Sequence, residues 1–304
     1  MTAIVPPSLA GERLDRVVAM LTGLSRARAT ELIAAGAVHV DGRPETIRAR
    51  RLAEGERVDV DRTAAAAEAV TVEADESVAF RVVHADEQVI VVDKPAGLVV
   101  HPWAGEAQPT LVAGLLAQFP DVDGVGQPGR PGIVHRLDAG TSGLLAVART
   151  DADYDSLVAQ LAERSVTRSY RALVGGHPAA AGGLVDAPVG RSARHRTRMA
   201  VTARGRDART RYEVIARFDE PTPVALLACW LETGRTHQIR VHLAAIGHPV
   251  LGDERYGGLR PELAVGRPWL HAAELGFTHP TSGERLEFTA DLPPDLTAVL
   301  DRLG

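Results

Sequence analysis

A chain of 304 residues, 45% hydrophobic and 24% charged, is long enough for two domains with real cores and too well mixed to be fibrous or disordered. No apolar run reaches the roughly 18 residues that span a bilayer, and residues 1–10 lack a secretory signal pattern, so a cytoplasmic protein without membrane attachment is expected. The lone Cys229 excludes an internal disulfide and a thiolate metal cluster, and the lone lysine, Lys94, precedes Pro95 rather than Ser or Thr, which excludes a Walker-type loop for a nucleotide cofactor. The net charge of -5 weighs mildly against a nucleic-acid partner. Its distribution weighs the other way, because Arg191, Arg194, Arg196, Arg198, Arg204, Arg206, Arg209 and Arg211 face a single acid, Asp207, within one stretch. Such a strip suits a phosphate backbone and equally a solvated loop.

In chain order, Leu14, Val17, Val18 and Leu21 recur at helical spacing within residues 12–21 and predict an amphipathic helix. A second helix is expected over 25–35, with Ser25 as N-cap and Gly36 as its stop. Val38 to Val40, the Asp41-Gly42 turn and Arg57 to Val60 predict a small β-element. Residues 63–75 are Ala- and Glu-rich without a clear apolar face, so the chain is expected to divide into a domain at 1–62, a linker at 63–77 and a larger domain at 78–304.

In that larger part, strands are expected at 78–83 and 89–92, followed by a bend at Pro95 and Gly97. Residues 120–132 predict an irregular loop. Ile133-Val134 and Leu144 to Ala148 predict two short buried strands, joined by a polar loop with Asp138 at its centre. Next come a helix at 151–164, with Tyr154, Leu157, Val158 and Leu161 on one face, and a strand at 169–174 carrying Tyr170. Strands at 196–201, 210–218 and 223–232 lead to a helix at 236–246, with Ile239, Leu243 and Ile246 inward. On it Arg240 sits about 100° around from Ile239, so that one packs while the other reaches a cleft. A strand at 286–288 and a helix at 294–303 close the chain. Strands in runs predict an α+β fold with a largely antiparallel mixed sheet, beside a small N-terminal α/β domain.

His135-Arg136-Leu137-Asp138, followed by Thr141-Ser142-Gly143-Leu144, resembles the catalytic signature of the RluA/RluD family of pseudouridine synthases. Four further segments resemble that family in the same order: Asp93 to Pro102, Thr167 to Ala172, Leu231 to Leu243, and Gly247 to Gly257. Ser25-Arg26, the run from Leu32 to Val40 and the Asp41-Gly42 turn resemble an S4 RNA-binding module.

The resemblance implies a pseudouridine synthase fold and an isomerase that converts uridine to pseudouridine in RNA. For the RluD branch, which also carries an S4 module, the RNA is large-subunit (23S) ribosomal RNA. A monomer is expected. The reaction breaks C1′–N1, turns the base and joins C1′ to C5. No atom is imported and no electron is exchanged, so no metal or other cofactor is expected. A carboxylate beside C1′ is needed, and the resemblance assigns it to Asp138. A desolvated carboxylate is neutralised unless a cation holds it, and the resemblance gives that role to Arg240 through a bidentate fork.

By the same resemblance Tyr170 stacks on the uracil and takes part in proton removal at C5. Arg136 enters the space vacated by the flipped base, and Ile239 joins it among the RNA contacts. Arg26, Arg28 and Arg43 are the RNA-facing candidates of the S4 segment. Arg168 stands where the family commonly has Lys. His135, His237 and His242 read as structural, the last two being five apart rather than a helical metal pair. Two other readings share some of these features. A non-enzymatic RNA binder leaves Asp138, Tyr170 and Arg240 unexplained, and a nucleosidase or glycosidase usually needs a second carboxyl group.

Overall fold

The computed structural model describes residues 1–22, 26–61, 72–101, 109–195 and 197–303, without the side chains of 26–28 and 31. Two compact units are present, Met1–Thr71 and Val72–Gly304. Ser25, most of the expected linker, Pro102, Arg196 and the side chains of Arg26 and Arg28 lie outside the described residues.

The first unit holds β1 (Thr2–Ile4), α1 (Leu14–Thr22), α2 (Arg26–Ala34), β2 (Val38–Val40), β3 (Arg43–Pro44) and β4 (Arg57–Val60). Its sheet has the order β1-β4-β2-β3. Leu14, Val17 and Val18 of α1 pack with Leu32 and Ile33 of α2 on Val38, Val40, Val58 and Val60. Asp41 and Gly42 both adopt positive φ, 50° and 75°, as a two-residue hairpin with right-handed strand twist requires. Edge strand β1 is not announced by the hydropathy pattern; it pairs with β4 from Thr2↔Asp59 to Ile4↔Arg57. Arg43 is exposed on the hairpin.

The second unit begins with β5 (Arg81–Ala85), β6 (Val89–Lys94) and α3 (Leu111–Gln118), then a short ribbon of β7 (Gly126–Gln127) and β8 (Arg130–Pro131), β9 (Ser142–Ala148) and α4 (Asp151–Glu163). It continues through β10 (Thr167–Gly175), β11 (Gly182–Asp186), β12 (Val189–Arg191), β13 (Met199–Val201), β14 (Arg209–Phe218), β15 (Val224–Leu231), α5 (Gln238–Ala245), β16 (Leu270–Thr278), β17 (Arg285–Thr289) and α6 (Pro294–Leu300). The main sheet runs β11-β14-β15-β10-β16-β9-β6-β5, with β17 also on β16. Every pairing in it is antiparallel except β9 with β16. This is the expected mixed, largely antiparallel sheet.

Several expectations need correction. The strand expected before Asp138 is only an isolated bridge, Ile133↔Val147, because the chain turns away toward the loop. The strand expected at 78–83 starts at Arg81, and the loop at 120–132 contains a 3₁₀ turn at Pro120–Val122 and the β7–β8 ribbon. Val158 and Ile246, placed inward by spacing alone, are each 37% exposed, and Ile246 is the C-cap beyond the end of its helix. Besides β1, the sequence pattern does not announce β11, β12, α3 or β16. Helix α3 is buried on nearly every side and so shows no amphipathic stripe. Central strand β16 mixes His271, two alanines, Glu274 and Gly276, which hides its β character.

The β9–β16 contact fixes where the Asp138 loop ends. Gly143 has φ of +112°, and a Cβ there would come within 2.2 Å of the Ala272 carbonyl oxygen, so two backbones meet where a side chain has no room. Gly143→Ala is therefore expected to cost this unit roughly 3 kcal/mol or more, from positive-φ strain plus the clash. The midpoint of denaturant unfolding checks this, and an unchanged midpoint would show that the strands part without penalty.

Candidate active site

The loop between Leu137 and Ser142 carries Asp138 into a cleft of about 520 Å³, also lined by His101, Arg136, Arg168, Tyr170, His237, Ile239 and Arg240. A turn closes the loop, with Thr141 N–H donating to the Asp138 carbonyl at 3.0 Å. Two cations grip the next carbonyls. Lys94 is 0% exposed, and its Nζ donates to Ala139 at 3.2 Å and to Pro95 and Leu98 at 2.8 Å each. Burial depresses the Lys94 pKa to about 7, against the raising influence of Asp138. Arg267, paired with Asp295 at 2.6 Å, donates from Nη1 to Gly140 at 3.1 Å and from Nη2 to Ser142 Oγ at 3.3 Å. Ser142 in turn lies 2.9 Å from His271 Nδ1, whose Nε2 faces the Ala290 carbonyl at 3.2 Å. That chain crosses from β9 to β16. The carboxylate is thus mounted on a backbone held by side chains remote in sequence.

Helix α5 supplies the counter-ion. Arg240 Nη1 donates to Asp138 Oδ2 at 2.8 Å. The fork itself goes elsewhere: Nε and Nη2 donate to the two oxygens of Asp253 at 2.6 and 2.9 Å. The expected bidentate hold on Asp138 is therefore corrected to a single bond, with the bidentate partner being Asp253, 1% exposed, inside the Gly247 to Gly257 segment. Tyr256 from the same segment places its ring 5.1 Å from the Arg240 guanidinium carbon. Its hydroxyl accepts from Met199 N at 3.1 Å and lies 2.8 Å from His237 Nδ1. If that hydroxyl donates to Nδ1, the remaining imidazole proton sits on Nε2, 3.9 Å from Asp138 Oδ2. Burial keeps the His237 pKa below its ordinary value, so the ring is neutral at pH 7. His237 thus belongs to the site, whereas His135 and His242 are structural. His135 Nε2 accepts from Ala146 N at 3.1 Å, and His242 bridges Thr210 and the Ala187 carbonyl.

Tyr170 stands on β10 opposite Cys229, buried with Ile239 and Leu243 in one apolar cluster. Burial pushes its phenol up to about 12, helped by Asp138 and opposed by Arg168, so it is neutral at physiological pH. Ile239 contributes wall rather than surface. Arg136 is exposed at the rim, 3.1 Å from His101 Nε2, so the first two sequence motifs meet there. Of the basic strip, Arg209 pairs with Asp186 at 2.9 Å, and Arg211 pairs with Glu213 while lying over Trp230. Among the described residues no cluster of three or more His, Cys, Asp or Glu side chains is arranged to hold a metal ion, and no helix is long and apolar enough to cross a membrane.

Residues 88–245 match the model of the RNA pseudouridylate synthase family, and residues 12–58 match the S4 domain. The chain belongs to the RNA pseudouridylate synthase family. It is 42% identical to an uncharacterized RNA pseudouridine synthase of Bacillus subtilis (strain 168), over 96% of this chain and 94% of that one. A ribosomal large subunit pseudouridine synthase D of Zymomonas mobilis is also 42% identical, with the same coverages. The structure of human RNA pseudouridylate synthase domain containing 1 superposes with a TM-score of 0.58 at 30% identity, covering 73% of this chain and 87% of that one. As a member of this family of synthases the protein is an isomerase acting on RNA, and its N-terminal unit contains an S4 domain.

In this synthase the Arg240 fork serves two carboxylates at once, which a compact ammonium cannot reproduce. Arg240→Lys is expected to lower turnover at least about a hundredfold and to destabilise the fold by roughly 2–4 kcal/mol, since Asp253 is buried with an incomplete partner. Steady-state kinetics and thermal unfolding on one preparation check both effects. Wild-type turnover in the lysine variant would dissolve the assigned division of the fork.

Proposed function

We propose that the protein converts uridine to pseudouridine in large-subunit ribosomal RNA, with Asp138 as the carboxylate that acts at C1′. The observation that carries this reading is the single 2.8 Å bond from Arg240 to Asp138 Oδ2. It sets a fixed cation against one oxygen of the carboxylate while leaving the other oxygen outside the fork. Names of relatives such as the Zymomonas mobilis protein support the choice of RNA.

In this reading the target uridine leaves the RNA stack and enters the cleft, where the neutral Tyr170 ring packs on the uracil. Arg136, at the rim, stacks in the vacated space, and Ile239 shapes the wall against the base. Asp138 meets C1′ as C1′–N1 breaks, either as nucleophile or as partner to oxocarbenium character. The base turns, C5 joins C1′, and the C5 proton leaves. With a phenol pKa near 12, Tyr170 serves as a protonated surface rather than a standing phenolate base. Residues 1–62 position the RNA through Arg26, Arg28 and Arg43, and residues 78–304 hold the chemistry.

Asp138→Asn keeps size and hydrogen-bonding reach but removes the charge. Wild-type protein is expected to release the C5 hydrogen of labelled uridine in ribosomal RNA, without added metal or nucleotide and without loss of the base. The Asn variant is expected to bind the same RNA and release none. Undiminished release would remove Asp138 from the chemistry. Mapping pseudouridines in ribosomal RNA from cells with and without the protein identifies the modified position, and an unaltered map would exclude ribosomal RNA as the substrate.

A further inference from the structure

Among the described residues, one side-chain nitrogen shut away from solvent has no hydrogen-bond partner: Nε of Arg168. The residue is 6% exposed, and its guanidinium keeps one long bond, from Nη2 to the Leu231 carbonyl at 3.3 Å. No carboxylate among the described residues pairs with it, and burial alone holds its pKa below the ordinary arginine value. A desolvated cation with neither counter-ion nor full hydrogen bonding is unfavourable. The site is relieved when a ligand brings an acceptor.

The position of this cation decides which acceptor. Arg168 and Tyr170 are two apart on β10, so their side chains share one face, and both line the cleft that contains Asp138. Tyr170 feels the charges of both Asp138 and Arg168, and His135 feels that of Arg168 as well. Tyr170 is thus near both charges, and the three side chains line one cleft. Gly234 leaves room beside the guanidinium, since a Cβ there would come within 3.0 Å of Arg168 Nη1. Of the other arginines lining the cleft, Arg240 holds two carboxylates, Arg164 pairs with Glu232, Arg235 donates to the Asp207 carbonyl, Arg130 donates to Gln127, and Arg136 sits at the rim beside His101.

A uracil resting on Tyr170 with its glycosidic atom toward Asp138 turns the opposite edge of its ring away from that carboxylate, within the cleft that Arg168 also lines. In uridine the atom across the ring from N1 is C4, and in pseudouridine the atom across from C5 is C2. Both carry a carbonyl oxygen. When C1′–N1 breaks, the bonding pair stays on the uracil as an anion spread over N1, O2 and O4. The pair is returned as C1′–C5 forms, C5 loses its proton, and N1 gains one, so atoms and electrons balance.

We propose that Arg168 is a catalytic residue that receives the uracil carbonyl lying opposite the glycosidic bond, O4 in the substrate and O2 in the product, and stabilises the anion between them. It also discriminates against cytosine, which presents an amino donor at position 4. This rests on the reading of the cleft as a uridine site.

The test uses the full chain and ribosomal RNA carrying, at C5-labelled positions, either uridine or 4-thiouridine, whose sulfur is a poorer acceptor. Wild-type release of the C5 hydrogen is expected to fall about tenfold on thio substitution, the scale of one charge-assisted hydrogen bond. Arg168→Met is expected to be about a hundredfold slower on uridine and to show no further thio effect. Arg168→Lys keeps a cation and serves if the Met variant does not fold; it is expected to stay within about tenfold of wild type and to keep the thio effect. A thio effect of equal size in wild type and Arg168→Met, or none in wild type, overturns the assignment while leaving the uridine reading intact. Absence of wild-type release from any ribosomal RNA uridine overturns the uridine reading, and the role of Arg168 with it.

Discussion

One guanidinium shared by two carboxylates organises this molecule. Arg240 is locked by its fork onto Asp253 and gives a further N–H, from Nη1, to Asp138. Had both oxygens of Asp138 been taken, the carboxylate would be well ordered and chemically occupied. Instead the buried Asp253 orders the arginine, and the arginine orders the Asp138 carboxylate. Tyr256 extends the arrangement, touching Arg240 with its ring and the β12–β13 ribbon and His237 with its hydroxyl.

The scaffold serves the same end from behind the loop. Lys94 and Arg267 hold the carbonyls of Ala139 and Gly140, and Ser142 is tied to His271 on the one parallel neighbour of β9. Parallel pairing matters because it brings the starts of β9 and β16 to the same end of the sheet, where the loop departs. A carboxylate on an unrestrained surface loop would lose, through backbone freedom, the fixed aim that these contacts provide.

Much of this was legible in the sequence, and the illegible part has a common cause. The amphipathic helix α1, the Asp41-Gly42 hairpin and strand β14 announce themselves because local spacing mirrors burial, and β15 does so through its unbroken apolar run. Helix α3 and strand β16 do not, since elements buried on both sides lose the period that marks them. At the site, the motif resemblance brought Asp138, Tyr170 and Arg240 together. It did not reveal that the fork belongs to Asp253, although that residue lies in a quoted segment, because bond-by-bond partnership is a property of side-chain aim. Arg267 and His271 carry no local signal; their partners in the loop lie more than a hundred residues away along the chain. Arg168 was visible as a departure from a pattern, and only burial shows its missing acceptor.

The lysine inventory has an experimental consequence of its own. The chain holds one ε-amine, and it is sealed behind three backbone carbonyls next to the Asp138 loop. An amine-directed reagent added to the folded protein therefore meets no accessible lysine among these 304 residues. Acylation at Lys94 becomes a clock for the opening of this one unit, read by mass without any engineered probe, and protection of that single amine measures how firmly the loop is clamped.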